Sequence, residues 1–472
     1  MKTKTIYRCA SCMNESAKWS AKCLECGSFG TIEEITVAKS PKGRAGVMAT
    51  GPSPVTPTSP ISKLKDVKTN NSHRIVSSLN EFNRVMGGGI VKDSVSIITA
   101  KPGAGKSTLL LQVADDLASK GYRVLYATGE ESDSQIKSRA DRILKNINDN
   151  IWVMPDNSMN SVLGHIQSID PDLIIIDSIQ TFTLEEHFPS RAGSPTQTME
   201  CANAMVRIAK NPSRPRAVIL VGQMNKNEEM AGLRSLEHLV DTVLVIEGEN
   251  EEELRELQST KNRFGGTGEM GFFSMTEEGL VSIDNPSEFF MTLRDDKDKV
   301  SGSALTVVRE GTRPIILEIE SLVSTSFMPY PTRIGEGLRR DHLNILISIL
   351  EQRAKFNLLN KNVVIKTTGG LKVKENAINL AILMSIVSSF SEKPVPNSYV
   401  FIADVGLTGE LKKVPSMEQR IRELDRMGFE KVYIAPATFS RKIKFDNIKV
   451  IEKKTLIEVI YDVFGSTERF SK

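Results

Sequence analysis

The chain has 472 residues, of which 40% are hydrophobic and 25% charged, with a formal net charge of +3. These values are ordinary for a soluble protein of two or three domains. They give no argument for or against nucleic-acid binding, so any basic surface must be local. No run of 18 apolar residues and no apolar signal segment after Met1 occurs, which predicts a cytoplasmic protein without a membrane span.

Two closely spaced cysteine pairs open the chain. Cys9 and Cys12 form one C-x-x-C pair, Cys23 and Cys26 form the second, and ten residues separate the pairs. Each pair can place two thiolates on one knuckle, and two knuckles complete a tetrahedral shell of four sulfurs. The spacing predicts a zinc ribbon or knuckle over residues 1–34 that folds around Zn²⁺ in a reducing cytosol, with iron as the alternative metal.

The arm between the two cysteine pairs carries Trp19, Lys18 and Lys22. These residues either form a small DNA-facing surface or pack within the module. Residues 35–63 then contain five prolines, four of them at Pro52, Pro54, Pro57 and Pro60 among Ser, Thr and Gly, with no apolar period. This composition is typical of an extended linker.

A phosphate-binding loop is predicted next. It consists of Ala100, Lys101, Pro102, Gly103, Ala104, Gly105, Lys106 and Ser107, and Thr108 follows it. A β-rich run precedes this loop and a helix-like run begins with Thr108, which is the context that a P-loop needs. Gly103 and Gly105 allow backbone N–H groups to surround phosphate oxygens. Lys106 can then reach the β- and γ-phosphates of ATP, and Ser107 can ligate Mg²⁺. Ala100 replaces the usual first glycine.

Apolar strands and helical segments alternate after this loop. Strands are predicted at residues 123–128, 172–177, 217–222 and 242–246, and an amphipathic helix at 132–147. Such apolar runs are typical of strands that are buried on both faces of a parallel sheet. The pattern predicts a doubly wound α/β domain over residues 64–285.

Two segments of this domain have no clear apolar period. Residues 181–196 are interrupted by Pro189 and Pro195 and predict a mobile loop. The acidic run 247–256 predicts a solvated face or the tip of a hairpin.

Acidic residues complete the chemistry of the predicted nucleotide site. Asp177 ends an apolar strand, where a Walker B carboxylate holds Mg²⁺ directly or through water. Glu130 and Glu131 follow the preceding strand, and a carboxylate there can activate the attacking water. Glu130 is preferred as the base, although the pair also fits an acidic cluster at a helix N-terminus.

Several motifs together resemble the bacterial RadA (Sms) family of DNA-repair ATPases. They are Gly129-Glu130-Glu131-Ser132, Asp177-Ser178 and Lys261-Asn262-Arg263-Phe264-Gly265. The N-terminal module and the C-terminal region match as well, so the resemblance covers nearly the whole chain. It implies a RecA-like ATPase core, a hexameric homo-oligomeric ring around DNA, translocation on single strands, action on branched DNA and partnership with the RecA recombinase.

The resemblance also assigns roles to individual residues. Lys261 and Arg263 would reach the γ-phosphate held by the neighbouring subunit, or alternatively bind the DNA backbone. Gln223 stands where the family usually has His and would retain a γ-phosphate sensor. Residues 225–239, with Lys226 and Arg234, correspond to a DNA-facing loop in which Leu233 replaces the family's proline.

The region 286–472 resembles the α+β proteolytic domain of Lon. Paired strands are predicted around Gly311, and helices at 342–356, 375–390 and 417–427. The Lon nucleophile and base match Ala377 and Arg420, which can perform neither function. The resemblance therefore implies a non-proteolytic scaffold that assembles the ring. It would offer DNA a basic surface that includes Arg339, Arg340, Lys372 and Lys374.

The leading functional hypothesis is a DNA-dependent ATPase motor of recombinational repair that promotes branch migration. The alternative is a nucleotide-switched protein that loads or anchors RecA without translocating. An ATP-dependent protease is a third hypothesis, and the missing Ser–Lys pair argues against it.

Overall fold

We describe the fold from a computed structural model. It describes residues 3–9, 15–16, 18–23, 29–30, 32–38, 63–66, 74–223, 234–248, 252–292, 294, 298–328, 330–336, 338, 340–371, 373, 375–439 and 443–465. The chain divides into two compact units, Met1–Thr69 and Asn70–Lys472.

The first unit contains a small antiparallel sheet. Its strands are β1 (Thr3–Cys9), β2 (Glu15–Ser16) and β3 (Ile32–Ala38), in the order β2-β1-β3. Strand β1 pairs with β3 along its whole length. Lys22 and Phe29 form an isolated antiparallel bridge, and a 3-10 turn covers Leu64–Asp66. Cys9 therefore ends the central strand of this sheet.

The second unit begins with a short hairpin-like pair and a nine-stranded sheet. The pair consists of β4 (Arg74–Ile75) and β5 (Ile90–Val91). The sheet contains β6 (Val95–Ala100), β7 (Val124–Thr128), β8 (Ile151–Met154), β9 (Leu173–Asp177), β10 (Ala217–Gln223), β11 (Thr242–Glu247), β12 (Leu254–Asn262), β13 (Met270–Thr276) and β14 (Gly279–Ser282).

Strand polarity divides the nine-stranded sheet into two parts. The strand order is β14-β13-β12-β11-β6-β10-β9-β7-β8. The six strands from β11 to β8 run parallel, whereas β12, β13 and β14 continue the sheet as an antiparallel meander. The carboxyl ends of the parallel strands therefore share one edge, and β12 ends at the opposite edge.

Helices cover both faces of this sheet. They are α1 (Asn80–Val85), α2 (Lys106–Ser119), α3 (Asp133–Ile143), α4 (Met159–Ile169), α5 (Pro195–Ala209) and α6 (Arg234–Leu239). Leu173 and Ile175 of β9 pack in one apolar cluster with α2, and Ile174 and Ile176 pack in another with α4 and α5. This two-sided burial explains the continuous apolar run and confirms the predicted α/β class.

A seven-stranded mixed sheet follows the short helix α7 (Pro286–Phe289). Its strands are β15 (Ser303–Glu310), β16 (Arg313–Thr325), β17 (Arg333–Gly335), β18 (Lys361–Thr367), β19 (Tyr399–Ile402), β22 (Lys431–Ile434) and β23 (Lys449–Glu452), in the order β17-β18-β16-β15-β19-β22-β23. Two further strands, β20 (Asp404–Val405) and β21 (Leu411–Lys412), pair with each other. The predicted strand pair around Gly311 is confirmed as β15 and β16.

Helices also cover both faces of the second sheet. They are α8 (Arg340–Arg353), α9 (Asn379–Ser391), α10 (Met417–Arg426) and α11 (Leu456–Phe464). Helices α8, α9 and α11 share one apolar cluster, and Ile421 and Leu424 of α10 belong to the cluster on the other face. The resemblance of this region to Lon stays a prediction.

Three local predictions need correction. The helix predicted at 132–147 ends at Ile143, because Leu144 is extended. The predicted mobile loop 181–196 is wrong at Phe182 and Leu184, which are 0% and 5% exposed, and its last residues start α5. The acidic run 247–256 lies between β11 and β12, which pair antiparallel, but it is not solvated throughout, since β12 begins within it at the buried Leu254.

A buried ion pair joins the two sheets. Glu81 of α1 is 1% exposed and accepts hydrogen bonds from Arg313 Nη1 of β16 at 2.9 Å and from the Phe272 amide of β13 at 3.0 Å. Burial lowers the pKa of Arg313, and the charge of Glu81 opposes this effect. The pair therefore fixes α1 to the C-terminal sheet.

Replacing Arg313 with Met should destabilise the protein by about 3 kcal/mol, since a buried carboxylate loses its main partner. Thermal unfolding of the full chain should show a lower Tm. The double variant Glu81→Gln with Arg313→Met should recover part of that loss because no buried charge then remains. An unchanged Tm for the single variant would contradict the role assigned to this pair.

Candidate nucleotide site

The predicted phosphate-binding loop connects β6 to α2. Ala100 is the last residue of β6 and Lys106 is the first of α2, so the expected strand–loop–helix context is confirmed. Gly103 and Gly105 have φ values of +82° and +101°, which residues with a Cβ rarely adopt. The remaining loop residues, Lys101, Pro102 and Ala104, lie in the same turn. The first turn of α2 then contains Ser107 and Thr108.

Lys106 folds back over this loop. Its Nζ donates a hydrogen bond to the Ala100 carbonyl at 2.9 Å. Burial lowers the pKa of Lys106, and the negative charges of Asp177 and Glu130 oppose that effect. The ammonium group therefore lies in the field of the two carboxylates that the sequence assigns to the same site.

Asp177 is held by two hydroxyl donors. Ser107 Oγ donates to Asp177 Oδ2 at 2.9 Å, and the Tyr126 hydroxyl donates to the same oxygen at 2.6 Å. Burial, together with the charge of Asp177, raises the pKa of Tyr126 well above its usual value, so Tyr126 stays a donor. Neither bond uses Oδ1. A hydroxyl and a carboxylate at this separation are the ligand types that Mg²⁺ binds.

The two adjacent glutamates have different partners. Glu131 accepts hydrogen bonds from both terminal nitrogens of Arg139, one of them at 2.7 Å, and this contact raises the pKa of Arg139. Glu130 instead accepts from Ser178 Oγ and from Gln223 Nε2, the latter at 2.9 Å from each carboxylate oxygen. Glu131 is thus paired with Arg139 of α3, whereas Glu130 is bonded to Ser178, which follows Asp177, and to Gln223 at the end of β10.

Lys261 and Arg263 lie at the other edge of the sheet. Thr242 of β11 is opposite Ser96 and Asn262, whereas Ile246 is opposite Ala100 and Leu257. About 13 Å of strand separates these two levels at roughly 3.3 Å per residue. Lys261 and Arg263 are therefore not brought together with the P-loop of their own chain.

Both cations contact the segment that links α6 to β11. Lys261 Nζ donates to the carbonyls of Glu237 and Val240, the latter at 2.7 Å, and burial with the nearby Arg263 charge lowers the pKa of Lys261. Arg263 Nη1 lies 3.2 Å from Asp241 Oδ1, and its side chain is 54% exposed. Arg263 is thus the more accessible of the two.

Three partners of the site were not predicted from the sequence. Tyr126, Arg139 and Ser178 hold Asp177, Glu131 and Glu130 respectively. Ser178 follows Asp177 directly, which is a weak signal. Tyr126 and Arg139 contact their carboxylates across separate elements, and no spacing rule indicates this.

The predicted cysteine site lies mostly outside the described residues. Cys12 and Cys26 are outside them, Cys9 ends β1, and the Cys23 side chain is 2% exposed. In the ranges that the structure describes, no group of three or more His, Cys, Asp or Glu side chains converges as metal ligands. The four-cysteine prediction is thus not tested here.

Two aromatic residues of the N-terminal module are exposed, one in the arm and one after the second cysteine pair. Trp19 is 63% exposed and Phe29 is 73% exposed, and Lys22 Nζ lies 5.5 Å from the Phe29 ring centroid. Trp19 therefore does not pack within the described part of the module.

Few of the predicted DNA-contacting residues can be located. Lys226, Leu233, Arg339, Lys372 and Lys374 lie outside the described residues, as does the side chain of Arg234. Arg340 is exposed at the first residue of α8.

The two residues that the predicted resemblance to Lon places at the catalytic positions are buried. Ala377 and Arg420 are each 1% exposed. The Arg420 guanidinium binds both carboxylate oxygens of Glu375, at 2.8 and 2.7 Å, and also the Val307 carbonyl. Arg420 is thus committed to a buried ion pair.

None of the helices in the described ranges combines the length and the apolar character needed to cross a bilayer.

Comparisons with known proteins agree with this geometry. Residues 58–229 match the model of an AAA domain, which includes the P-loop, Glu130 and Asp177. The chain is 40% identical over 464 residues to the DNA repair protein RadA of Bacillus subtilis, which covers 98% of this chain and 99% of that protein. It is 39% identical to the same protein of Streptococcus pyogenes, over 98% and 100% of the two chains, and 39% identical to that of Listeria monocytogenes, over 92% of each. The chain therefore belongs to the DNA repair protein RadA family.

Proposed function

We propose that this protein is a DNA-dependent ATPase that forms a ring, translocates on single-stranded DNA and processes branched recombination intermediates beside RecA. One observation carries the ATPase part: Ser107, Asp177 and Glu130 converge at the carboxyl edge of a parallel sheet, next to a P-loop. Membership of a DNA-repair family supports the DNA part.

The nucleotide is held by the loop and by the start of α2. Backbone N–H groups from Gly103 to Ser107 surround the phosphates, at the positive end of the helix dipole. Lys106 leaves the Ala100 carbonyl to bind the β- and γ-phosphates. Ser107 and Asp177 hold Mg²⁺, which when bound neutralises phosphate charge.

Glu130 acts as the general base. Its hydrogen-bond donors, Ser178 and Gln223, are neutral side chains, so its carboxylate is not engaged in an ion pair like that of Glu131 with Arg139. Glu131 is less suited because Arg139 neutralises it and uses both of its oxygens. Gln223 contacts Glu130 with an amide that can also bind a γ-phosphate oxygen, which supports its role as a sensor.

Arg263 completes the site of the neighbouring subunit. Its distance from the P-loop of its own chain, a full strand length away, supports action in trans rather than in cis. The half-exposed side chain can exchange Asp241 for a phosphate. Lys261 is held more tightly by two main-chain carbonyls, which favours a role in anchoring α6, the helix that forms the last part of the proposed DNA-facing segment 225–239.

The flanking regions assist this motor. The C-terminal sheet serves as a scaffold for a hexameric ring. It is non-proteolytic because Ala377 offers no nucleophile and Arg420 is paired with Glu375. The N-terminal module binds Zn²⁺ through Cys9, Cys12, Cys23 and Cys26, a donor set that fits this metal.

The first prediction concerns ATP turnover. Lys106→Ala should still bind DNA but should lose ATP hydrolysis by about 100-fold or more, since transition-state charge is no longer neutralised. The measurement is hydrolysis with and without single-stranded DNA at two salt concentrations. Wild-type stimulation that fades with salt is expected for phosphate contacts. An ATP hydrolysis rate that does not change when DNA is added would contradict the motor function. Hydrolysis that DNA stimulates, without strand displacement, would favour the RecA-loading alternative.

The second prediction separates the two glutamates. Glu130→Gln should lower kcat by about 10²- to 10⁴-fold while ATP still binds, as expected on loss of a general base. Glu131→Gln serves as the matched control and should keep kcat within a few-fold while its lost Arg139 pairing lowers Tm. The reverse pattern of kcat losses would make Glu131 the base.

The third prediction concerns zinc. Metal analysis of the purified full chain should find about one zinc ion per chain, and Cys23→Ser should lose it. Cys201→Ser is the matched control, because the Cys201 thiol is buried and its pKa is raised to about 12 by burial. Zinc retained in Cys23→Ser, or iron in its place, would refute the assignment.

A further inference from the structure

The segment 262–265 packs against residues 74–89, near the start of the second unit, and we call this contact region the cradle. Asn262 Nδ2 donates to the Val85 carbonyl at 3.2 Å, and Asn262 Oδ1 accepts from the Phe264 amide at 2.9 Å. Asn262 is 8% exposed, so these contacts are shielded from water. The side chain of Asn262 thus closes the turn and attaches it to the end of α1.

Glycines allow the two backbones to touch. A Cβ on Gly87 would lie 3.0 Å from Gly265 Cα, and a Cβ on Gly265 would lie 2.9 Å from Gly87 Cα. Both distances are shorter than normal carbon–carbon contacts. The turn after α1 therefore lies too close to the 262–265 segment for a side chain at either glycine.

Arg74 fastens this contact from one side. Its Nη2 donates to the Phe264 carbonyl at 2.7 Å, and its Nη1 donates to the carbonyls of Gly89 at 3.1 Å and Met86 at 3.3 Å. All three acceptors are main-chain oxygens, and they belong to the two segments that meet in the cradle. A partly buried guanidinium that bridges two loops fixes their separation through charge-assisted hydrogen bonds.

The main chain of Arg263 is fixed on both sides as a result. Its amide donates to the Asp241 carbonyl at 3.1 Å, and the carbonyl of the next residue, Phe264, is held by Arg74. The Arg263 side chain, by contrast, is 54% exposed. A fixed main chain allows the accessible guanidinium of Arg263 to be placed accurately against a group outside its own chain.

We propose that Arg74 is a positioning residue for Arg263: it holds the 262–265 segment so that Arg263 enters the nucleotide site of the adjacent subunit. This inference rests on the proposed function, specifically on the action of Arg263 in trans. The side-chain hydrogen bonds of Arg74 go to Met86, Gly89 and Phe264, which lie outside the P-loop. Its contacts lie near the amino-terminal edge of the sheet, so its loss should leave the P-loop of its own chain intact.

The test uses mixed assemblies of full-length chains. Alone, Arg74→Ala should hydrolyse ATP about 10- to 100-fold more slowly, as expected for a misplaced group, while a fluorescent ATP analogue binds with unchanged affinity. Arg142→Ala, which removes an exposed arginine of α3, is the matched control and should hydrolyse at the wild-type rate. Arg74→Lys keeps one donor for the Phe264 carbonyl and should be intermediate.

The decisive step is co-expression of Arg74→Ala with Lys106→Ala under two different tags, followed by purification on both. A neighbour that carries Lys106→Ala still has a correctly placed Arg263 and can serve the intact P-loop of the Arg74→Ala chain. Random mixing should restore about one interface in four. A mixture of Arg263→Ala with Lys106→Ala is the reference and should recover to the same extent.

Each outcome decides the proposal. Equal recovery in the two mixtures supports it. Recovery in the reference alone overturns the role of Arg74 but leaves the action of Arg263 in trans. Recovery in neither overturns that action and the proposal with it. Full hydrolysis by Arg74→Ala alone also overturns the role of Arg74. If Arg74→Ala does not fold, Arg74→Lys replaces it in the same mixtures.

Discussion

Strand polarity in the nine-stranded sheet decides which residues can share a site. Six strands run parallel, so their carboxyl ends bring the P-loop, Glu130 and Asp177 to one edge. Strand β12 runs the other way, so the segment that carries Arg263 ends at the far edge. A chain with this topology cannot complete a nucleotide site from both edges of its own sheet. If Arg263 takes part in hydrolysis, assembly of subunits is a chemical requirement and not only an architectural one.

The same polarity connects the nucleotide chemistry to the proposed DNA contact. Lys261 binds the carbonyls of Glu237 and Val240 at the end of α6, and α6 is the last part of the segment proposed to face DNA. Arg263 shares the strand end with Lys261. A displacement of α6 would therefore act on Lys261, which is two residues from Arg263, the side chain proposed to reach the γ-phosphate in the neighbouring subunit. The Asp241 carboxylate, which contacts Arg263, is 2% exposed and also accepts hydrogen bonds from Lys210 and the Val95 amide, so it is fixed in place by three separate elements.

The sequence predicted the parts of the fold that depend on local pattern. The apolar runs of β6, β7, β9, β10 and β11 indicate strands because burial on both faces requires continuous hydrophobicity. The P-loop motif indicates a strand before it and a helix after it. Pairings between distant elements were not predictable. The choice between Glu130 and Glu131 depends on Arg139, one side chain on the following helix, and Phe264 depends on Arg74, which is 190 residues away. Residues 182–184 were misread because two buried side chains in an irregular segment produce no period.

The contact between Gly87 and Gly265 constrains how this family can vary. Each position excludes a side chain because the other backbone occupies the space, and Gly87 also has a φ of +77°. A substitution at either site cannot be absorbed by a neighbouring rotamer, since the obstacle is main chain. Both positions are therefore expected to remain glycine across relatives, because a second side chain would add to the clash and not relieve it. Their joint invariance would then report a backbone contact, with no side chain involved.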